Sequence, residues 1–280
     1  MIWDCFTFFN ELDLLDIRLH ILDPYVDKFV LVEATKTHPG TPKPLYFDQN
    51  RLRYEKFLPK IVHVVVDDMP TGPDHWVREN HQRNAISRGL QNAELKDTIL
   101  ISDLDEIWRP SKLEEIAPTG ISIFLQDFYC YYLNMRTPDK PNWSIGTRAV
   151  HLEDMTSPQA IRDWGGFFRA LGDKYTIFHA GWHFSYLGGA ERVKLKLINT
   201  ADQVYDTKAL KILFGKELKS GRRVPFVNDY LNLDKIRDRI DSGRDVTGMS
   251  QHVWQKVAID ETFPDYIRGN QELLSRFIKK

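Results

Sequence analysis

The feature that most constrains this chain is an alternation of short apolar, β-branched runs with segments of helical spacing. Runs at 29–32, 61–68 and 97–103 have the composition of buried strands. Apolar residues at helical spacing predict a helix over 12–22, and a polar-rich helix is predicted over 76–92. This order is typical of α/β proteins, in which crossover helices cover both faces of a mostly parallel sheet.

The rest of the chain predicts a mixed region of strands followed by helices. The predicted strands are 121–133, 148–153 and 175–186, and the predicted helices are 188–200, 204–216, 232–240 and 264–278. The chain has no internal repeat, low-complexity tract or clear linker. We therefore expect one domain over residues 1–280, with a three-layer α/β/α core around a mostly parallel central sheet.

Composition and charge exclude several classes of protein. With 280 residues, 42% of them hydrophobic, the chain can bury a large core and is neither disordered, collagen-like nor a coiled coil. A net charge of −1 without long runs of like charge argues against binding nucleic acid or anionic membranes by bulk charge.

The cysteines and the N-terminal segment predict the cellular compartment of the protein. Cys5 and Cys130 are the two cysteines and lie far apart, which favours a reducing compartment over a disulfide framework. The N-terminal segment carries acidic residues where a signal peptide has basic ones, and no run reaches the roughly 18 apolar residues of a membrane span. We expect a soluble, complete, cytoplasmic protein, with peripheral attachment to a membrane as the alternative.

The strand at 97–103 runs into Asp103-Leu104-Asp105-Glu106, a candidate cation site. In an extended chain Asp103 and Asp105 project to one side and Leu104 to the other. Two carboxylates at the carboxyl end of a buried strand suit Mg²⁺ or Mn²⁺ that holds a diphosphate. An Asp-x-Asp triplet also arises by chance, so the triplet alone is a hypothesis.

Histidines and aromatic side chains offer further candidates. His179 and His183 are four apart and would share one face of a strand, either as core residues or, beside a carboxylate pair, as ligands. Aromatic residues crowd 127–136, where Tyr129 and Tyr131 alternate with Phe128, and tryptophans follow later in the chain. Such rings pack in cores by default, but exposed rings also stack on sugars.

Six stretches together resemble glycosyltransferase family 17. They are FNELDLLDIRL (9–19), FVLVEATKTHPGTPKPLYF (29–47), IVHVVVDDMP (61–70), HQRNAI (81–86), ILISDLDEIWRP (99–110) and AGWHFSY (180–186) with the Glu191 to Lys196 helix behind it. Asn84 stands where the family has Asp, and Trp108 where it has Pro. The resemblance implies a GT-A type fold with a Rossmann-like sheet, a divalent cation on the Asp-x-Asp motif, and inversion at the anomeric carbon.

The resemblance also implies the substrates. The donor is expected to be UDP-N-acetylglucosamine, with β-1,4 transfer to an oligosaccharide or glycolipid acceptor and no role for nucleic acid. Residues 1–110 would bind the nucleotide sugar and the metal, and residues 111–280 the acceptor. The implied metal ligands are Asp105, Asp103 and His183; the nucleotide-sugar contacts are Glu33, Arg83, Asn84, Asp103 and Lys196; the acceptor contacts are Tyr129, Tyr131, Trp143 and Trp182.

An inverting transfer needs a base for the acceptor hydroxyl. We predict Glu191, which follows Gly188-Gly189 at the start of a helix, with Asp163 as the second choice. An acidic residue at a helix start also stabilises that helix without any role in catalysis.

Two other functions use the same features. A metal-dependent hydrolase or nucleotidyltransferase would use the same carboxylates and release free sugar or pyrophosphate. A carbohydrate-binding protein would use the aromatic residues, would not need the carboxylates, and would bind glycan equally well in a chelator.

Overall fold

The computed structural model describes residues 1–138, 142–143, 146–164, 175–200, 231–246 and 252–280. The strands in these residues are β1 (Ile2–Phe8), β2 (Lys28–Ala34), β3 (Ile61–Val66), β4 (Thr98–Asp103), β5 (Glu106–Trp108), β6 (Ile121–Phe124), β7 (Gln126–Cys130), β8 (Met135–Arg136), β9 (Asn142–Trp143), β10 (Arg148–His151), β11 (Thr176–Ile177), β12 (Gly181–Ser185) and β13 (Gln255–Lys256). The α-helices are α1 (Leu12–Leu22), α2 (Tyr46–Gln49), α3 (His75–Asn84), α4 (Ile86–Gly89), α5 (Pro158–Asp163), α6 (Ala190–Asn199), α7 (Leu233–Asp241) and α8 (Asp265–Gly269). The 3₁₀ helices are Arg51–Lys60, Pro110–Glu115, Leu152–Asp154 and Ser275–Phe277.

The strands form two mixed sheets. The larger has the order β11-β6-β10-β4-β1-β2-β3, in which β3, β2, β1 and β4 are mutually parallel and β10 is antiparallel to both of its neighbours. The smaller has the order β13-β8-β7-β12-β5, with β9 beside β7, and its pairs are antiparallel except β7 with β12. The architecture is therefore α/β, as expected, with both parallel and antiparallel pairing.

Strand β1 is the longest of the strands that the sequence analysis missed. It lies between β2 and β4, and its residues Cys5 and Phe6 are fully buried. Asp4, also fully buried, interrupts its apolar pattern, and aspartate is unfavourable in strands. An ion pair with Arg18 stabilises this carboxylate, and periodicity gives no indication of that partner.

The larger sheet has a hydrophobic core on each face. Phe6 and Phe8 belong to a core that includes the apolar side of α1 and side chains of the smaller sheet. Trp3 and Cys5 belong to the other core, which includes Ile86 of α4 and Ile161 of α5. The alternation of β1 side chains between two cores explains why apolar residues occupy nearly the whole strand.

Several predicted elements are confirmed and others are corrected. The helix over 12–22 and the strands within 29–32, 61–68 and 97–103 are present. The helix predicted over 76–92 breaks into α3 and α4, and the one predicted over 264–278 is α8 followed by a separate 3₁₀ turn. The run 121–133 forms two strands, and 175–186 forms β11 and β12. The helix predicted over 204–216 lies outside the described residues.

In the parts of the chain that the structure describes, no helix combines the length and the apolar character needed to cross a membrane. Cys5 and Cys130 are both buried free thiols.

Candidate active site

The carboxyl ends of β1 and β4 lie side by side where the direction of strand order reverses. From β1 the chain passes to β2 and β3 on one side, and then returns to β4 on the other side. Thr7 of β1 is in register with Asp103, the last residue of β4. Open α/β sheets bind ligands in the crevice at such a switch point. The Asp-x-Asp motif therefore lies at the sheet edge where a ligand site is expected.

The two carboxylates of the motif face different partners. Strand β4 ends at Asp103, residues 104–105 form a turn, and β5 begins at Glu106. The expectation of an extended chain through Asp105 is therefore wrong. The Asp105 carboxylate still acts electrostatically on Asp103 and raises its pKa, so the two groups stay near each other across the turn.

Asp103 is held between two arginines. Arg83 Nη2 donates to Oδ1 at 2.9 Å, and Arg162 Nη2 donates to Oδ2 at 2.9 Å. Burial alone would raise the pKa of Asp103, but the Arg162 and Arg83 guanidinium groups outweigh it and hold this pKa below its usual range. Both oxygens of Asp103 are thus engaged, and the carboxylate is ionised at neutral pH.

Asp105 forms a second charged cluster with Lys196 and His183. Lys196 Nζ, from α6, donates to Oδ2 at 2.6 Å, and His183 Nε2, from β12, lies 3.4 Å from the same oxygen. The His183 ring stacks on Phe128 at a centroid distance of 4.9 Å. Burial would raise the pKa of Asp105, whereas the Lys196 ammonium and the His183 ring lower it below its usual range.

The Asp105 carboxylate fits a divalent cation that is shared with a substrate. Both of these polar contacts fall on Oδ2, and Oδ1 accepts no hydrogen bond from the described residues. Within those residues no group of three or more His, Cys, Asp or Glu could hold a metal ion by itself. A cation at Asp105 would take its remaining ligands from phosphate oxygens and water, as Mg²⁺ does in many phosphate-binding sites.

Glu106 and Arg18 fix the backbone of the turn. Glu106 Oε2 accepts from the Asp103 amide at 2.9 Å, while its Oε1 accepts from Arg162 at 2.7 Å. Arg18 Nη1 donates to the carbonyl oxygens of Asp103, Leu104 and Glu106 at 3.0, 3.1 and 2.9 Å. These contacts hold the carbonyls that flank both motif carboxylates.

Arg18 is in turn held by Asp4 in the central strand. Its Nε and Nη2 donate to the two oxygens of Asp4 at 2.8 and 2.6 Å, and Nη2 also donates to Ser102 Oγ at 2.7 Å. Trp108 Nε1 donates to Asp4 at 2.9 Å. A planar guanidinium can satisfy this many fixed acceptors at once, which a lysine cannot do.

A cavity opens between the end of β1 and helix α6, beside the Asp105 cluster. Its polar and aromatic lining includes Asn10, Glu11, Asp13, Tyr186, Arg192 and Lys196. Lys196 therefore contacts Asp105 and also faces this cavity. Asn10 and Glu11 directly follow β1, so the cavity belongs to the switch-point crevice.

Two predicted nucleotide contacts have structural partners instead. Glu33 is fully buried, and its carboxylate accepts from Lys43 Nζ at 3.3 Å, from the Phe47 amide and from His63 Nε2 at 3.2 Å. Asn84 is exposed, and its Oδ1 accepts from the Gln159 amide at 3.0 Å. The structure therefore places Glu33 in the core and Asn84 at the contact of α3 with α5.

The predicted bases lie on the surface. Glu191 is in the first turn of α6, and its carboxylate, 66% exposed, pairs with Arg237 of α7 at 2.5 Å. Asp163 ends α5, is exposed, and accepts from Gln159 Nε2 at 2.9 Å. Neither carboxylate contacts Asp103 or Asp105 in the described part of the chain.

The structure buries three of the four predicted acceptor residues. Tyr129 and Trp182 are 1% and 3% exposed, and Trp182 Nε1 donates to the Thr262 carbonyl at 3.0 Å. Burial raises the pKa of Tyr129 to about 12. Tyr131 is 2% exposed, and its hydroxyl donates to the Arg244 carbonyl at 2.8 Å. The side chain of Trp143 lies outside the described residues.

His179 and His183 do not share a strand, contrary to expectation. His179 lies in a turn with φ of 50°, and Nδ1 is 3.1 Å from Asp127 Oδ1, whereas His183 belongs to β12. Strand β12 pairs in parallel with β7, and this pairing brings His183 into register with Phe128.

Sequence reasoning missed the residues that hold the motif in place. Arg162 and Glu106 escaped notice because their ion pair joins positions 56 residues apart. Glu11 follows a strand that was not predicted. An arginine on the apolar side of a predicted helix was a usable signal for Arg18, since a charge in that position needs a buried partner.

The comparisons with known proteins each match part of the chain. The sequence profile of glycosyltransferase family 17 matches residues 1–131, a range that includes β1 to β7 and the Asp103–Asp105 turn. Proteins named beta-1,4-mannosyl-glycoprotein 4-beta-N-acetylglucosaminyltransferase from Homo sapiens and Rattus norvegicus are each 34% identical over 106 residues. The counterpart from Mus musculus is 33% identical over 106 residues.

These alignments cover 35% of this chain and 20% of each relative, so the chain spans about a fifth of the length of the relatives that it matches. The matched part nevertheless contains the complete turn with both carboxylates and the strand that precedes it. Over residues 1–131, the chain is similar to glycosyltransferase family 17.

Proposed function

We propose that this protein is a glycosyltransferase that moves N-acetylglucosamine from UDP-N-acetylglucosamine to a glycan. The observation that carries the proposal is the position of Asp103 and Asp105 at the carboxyl end of β4, within the range that matches family 17. The names of the relatives support the sugar. The parallel order β3-β2-β1-β4 supports a Rossmann-like, GT-A type organisation of the donor half.

The charges around the motif suit a nucleoside diphosphate. Lys196 lies at the cavity and at Asp105, and Arg83 and Arg162 lie at Asp103. A diphosphate leaving group gains negative charge as the bond to the sugar breaks, and fixed cations beside it lower the barrier. Lys196 is the cation of this group that can reach the diphosphate, because the arginines are each committed to two or more fixed acceptors.

Asp105, with His183 beside it, is the proposed holder of Mn²⁺ or Mg²⁺. The free Oδ1 of Asp105 and the lack of a closed set of protein ligands in the described residues both suit an ion that is shared with the diphosphate. Such an ion would neutralise charge on the departing diphosphate. Asp103 is proposed to orient Arg83 and Arg162 and to contact the ribose side of the donor.

Inversion requires a base on the face of the sugar opposite the diphosphate. Glu191 stays the proposed base, because it begins α6, the helix that also carries Lys196 to Asp105. Its role requires that the ion pair with Arg237 open when the acceptor binds. Asp163 and the cavity residue Glu11 are the alternative bases, and kinetic assays of variants must compare them with Glu191.

The acceptor is proposed to be an oligosaccharide or glycolipid that enters the cavity between β1 and α6. Tyr186 supplies an aromatic ring there, and Arg192 and Asp13 supply hydrogen-bonding groups. This assignment replaces the buried Tyr129, Tyr131 and Trp182 as the surface for a sugar. The two free cysteines are consistent with a reducing, cytoplasmic compartment, which stays a prediction.

A donor screen tests the function. In the presence of Mn²⁺, UDP-N-acetylglucosamine should raise the melting temperature more than GDP-mannose or other nucleotide sugars, because a ligand that binds only the folded state stabilises it by mass action. At 100 times its Kd, the donor adds about 2.7 kcal/mol to the free energy of unfolding. An equal or larger effect of GDP-mannose would reject the donor.

The products separate this function from its alternatives. A transferase releases UDP in proportion to glycan made. A hydrolase releases free sugar without an acceptor, and a nucleotidyltransferase releases pyrophosphate. A carbohydrate-binding protein binds glycan equally well with chelator and releases none of these.

A further inference from the structure

Lys196 and a divalent cation would compete for one carboxylate. The Lys196 ammonium lies 2.6 Å from Asp105 Oδ2, so in this structure it supplies the positive charge that the carboxylate needs. Asp105 is 6% exposed, which makes an uncompensated negative charge there costly. A cation at Asp105 would bring two further positive charges to within a few ångströms of this ammonium.

The Lys196 side chain has enough space to move its ammonium group away from Asp105. Its side chain is 26% exposed and lines the cavity, with Nζ 5.6 Å from the centroid of the Tyr186 ring. The flexible four-carbon stem lets the ammonium move while the helix stays in place. The arginines at Asp103 lack this freedom, because Arg83 and Arg162 are 5% and 6% exposed and have several fixed acceptors.

We propose that Lys196 is an exchanging cation: it occupies Asp105 when no divalent ion is bound and transfers to the donor diphosphate when one binds. The proposal rests on the proposed function for the identity of the donor. In the free protein Asp105 and Lys196 form a neutral pair. In the loaded protein the ion compensates Asp105, and Lys196 becomes available for a phosphate oxygen.

The exchange couples two binding events through one side chain. Binding of the ion releases the ammonium, so it should favour the diphosphate, and binding of the diphosphate should favour the ion by the same factor. Without nucleotide, the ion must displace Lys196 with no compensating phosphate contact. Lys196 should therefore weaken the binding of the ion alone and strengthen the binding of the diphosphate.

The test compares the full-length protein with Lys196→Met and Lys194→Met. Methionine keeps most of the lysine stem and removes the charge. Lys194 is the matched control, because it precedes Lys196 by two residues and so points to the other side of α6. Binding of Mn²⁺ without nucleotide is measured from the electron paramagnetic resonance signal of free Mn²⁺, and binding of UDP is measured by calorimetry at saturating Mn²⁺.

Lys196→Met should bind Mn²⁺ alone about tenfold tighter, since a competing positive charge is gone, and should bind UDP with Mn²⁺ about tenfold more weakly. Lys194→Met should change neither affinity by more than about twofold. Opposite signs for the two ligands are not expected from a general loss of structure. Unchanged or weaker Mn²⁺ binding by Lys196→Met, absence of Mn²⁺ binding by every variant, or unchanged UDP binding would each overturn the exchange.

The two proposals can fail separately. The binding measurements use UDP and Mn²⁺ without an acceptor, so they stand whether or not sugar is transferred. If the opposite shifts are observed but no glycan forms from UDP-N-acetylglucosamine, the exchange is kept and the proposed reaction is rejected.

Discussion

Arg18 of α1 and Asp4 of β1 form a fully buried, two-pronged ion pair directly beneath the turn that carries Asp103 and Asp105. Because Arg18 also donates to three carbonyls of that turn, the pair connects the central strand to the motif. The position of the two motif carboxylates therefore depends on residues about 85 and 100 positions earlier in the chain.

Replacement of Arg18 should be among the most damaging single changes in this protein. Arg18→Met leaves the Asp4 carboxylate buried with Trp108 as its remaining hydrogen-bond donor. Removal of one partner of a buried ion pair costs about 3–5 kcal/mol. Urea unfolding should give a loss of this size. The control Arg88→Met breaks the exposed pair with Asp68 and should cost less than about 1 kcal/mol.

A loss below about 1 kcal/mol for Arg18→Met would contradict this account of the turn. If the variant stays folded, UDP binding with Mn²⁺ should also weaken, because the carbonyls beside Asp103 and Asp105 lose their donor.

The contact of β12 with β5 gives a second prediction. Gly181 begins β12 beside the backbone of Ile107 and Trp108, and a Cβ added at Gly181 would lie 2.8 Å from Trp108 Cα and closer still to the Ile107 carbonyl oxygen. Gly181→Ala should therefore push β12 away from β5 and lower the free energy of unfolding by about 3 kcal/mol. His183, two residues later, would move with the strand.

Urea unfolding of Gly181→Ala and Gly269→Ala provides the comparison. Gly269 ends α8 with open space around its Cα, so alanine there should be neutral or stabilise the protein by up to about 1 kcal/mol. Equal stability of the two variants would mean that β12 tolerates the added methyl group and that Gly181 has no packing role.

Local sequence patterns predicted strands β2, β3 and β4 but not β1, which lies between β2 and β4. The helix at 12–22 and strand β2 follow from the spacing of apolar residues, which is a property of neighbouring positions. Strand β1 was missed because its buried aspartate is stabilised by Arg18 and Trp108, which lie far from it in the sequence. A contact between two distant positions leaves no periodic signal in either segment.

The candidate site was predictable to a similar extent. Asp103, Asp105, His183 and Lys196 were all identified from the motif and the resemblance, and the structure brings Asp105, His183 and Lys196 together. The burial of the aromatic residues could not be predicted. Alternation along β7 assigns its side chains to two faces of the strand, but it does not show which of these faces other segments cover. Tyr129 packs against Phe184 and Phe263, which come from later segments.

Substitution of the two motif aspartates should affect stability and ligand binding to different extents. Asp103→Asn removes one carboxylate from two nearly buried guanidinium groups, which keep Glu79 and Glu106, and should cost about 1.5–3 kcal/mol of stability. Asp105→Asn releases Lys196, which can reach water, and should cost about 1 kcal/mol or less. Asp105→Asn should nevertheless lose Mn²⁺-dependent UDP binding, and Asp103→Asn should weaken it less.

Thermal unfolding and calorimetry on both variants check this order. Retention of Mn²⁺-dependent binding by Asp105→Asn would remove Asp105 from the proposed cation site. A smaller stability loss for Asp103→Asn than for Asp105→Asn would show that the two arginines find other partners.

The proposed base gives the last prediction. Glu191→Gln should bind UDP and Mn²⁺ almost normally but lower kcat by about 10²–10⁴-fold, because an amide cannot accept the proton of the acceptor hydroxyl. A hydrogen bond from its own backbone amide and the Arg237 guanidinium lower the pKa of Glu191. The base must be ionised, so kcat/KM should fall as the pH drops through this lowered pKa. Arg237→Gln should raise the pKa and move that acidic limb to higher pH.

A merely structural role of Glu191 at the start of α6 would change stability without moving the acidic limb, so the pH profile distinguishes the two roles. Asp163→Asn and Glu11→Gln belong in the same assay, because Asp163 ends α5 near Arg162 and Glu11 lines the cavity. If Glu191→Gln loses less than about tenfold in kcat, whichever of these variants loses 10²-fold or more at normal UDP affinity identifies the base. An acidic limb that Arg237→Gln leaves in place would likewise assign the proton transfer to a carboxylate other than Glu191.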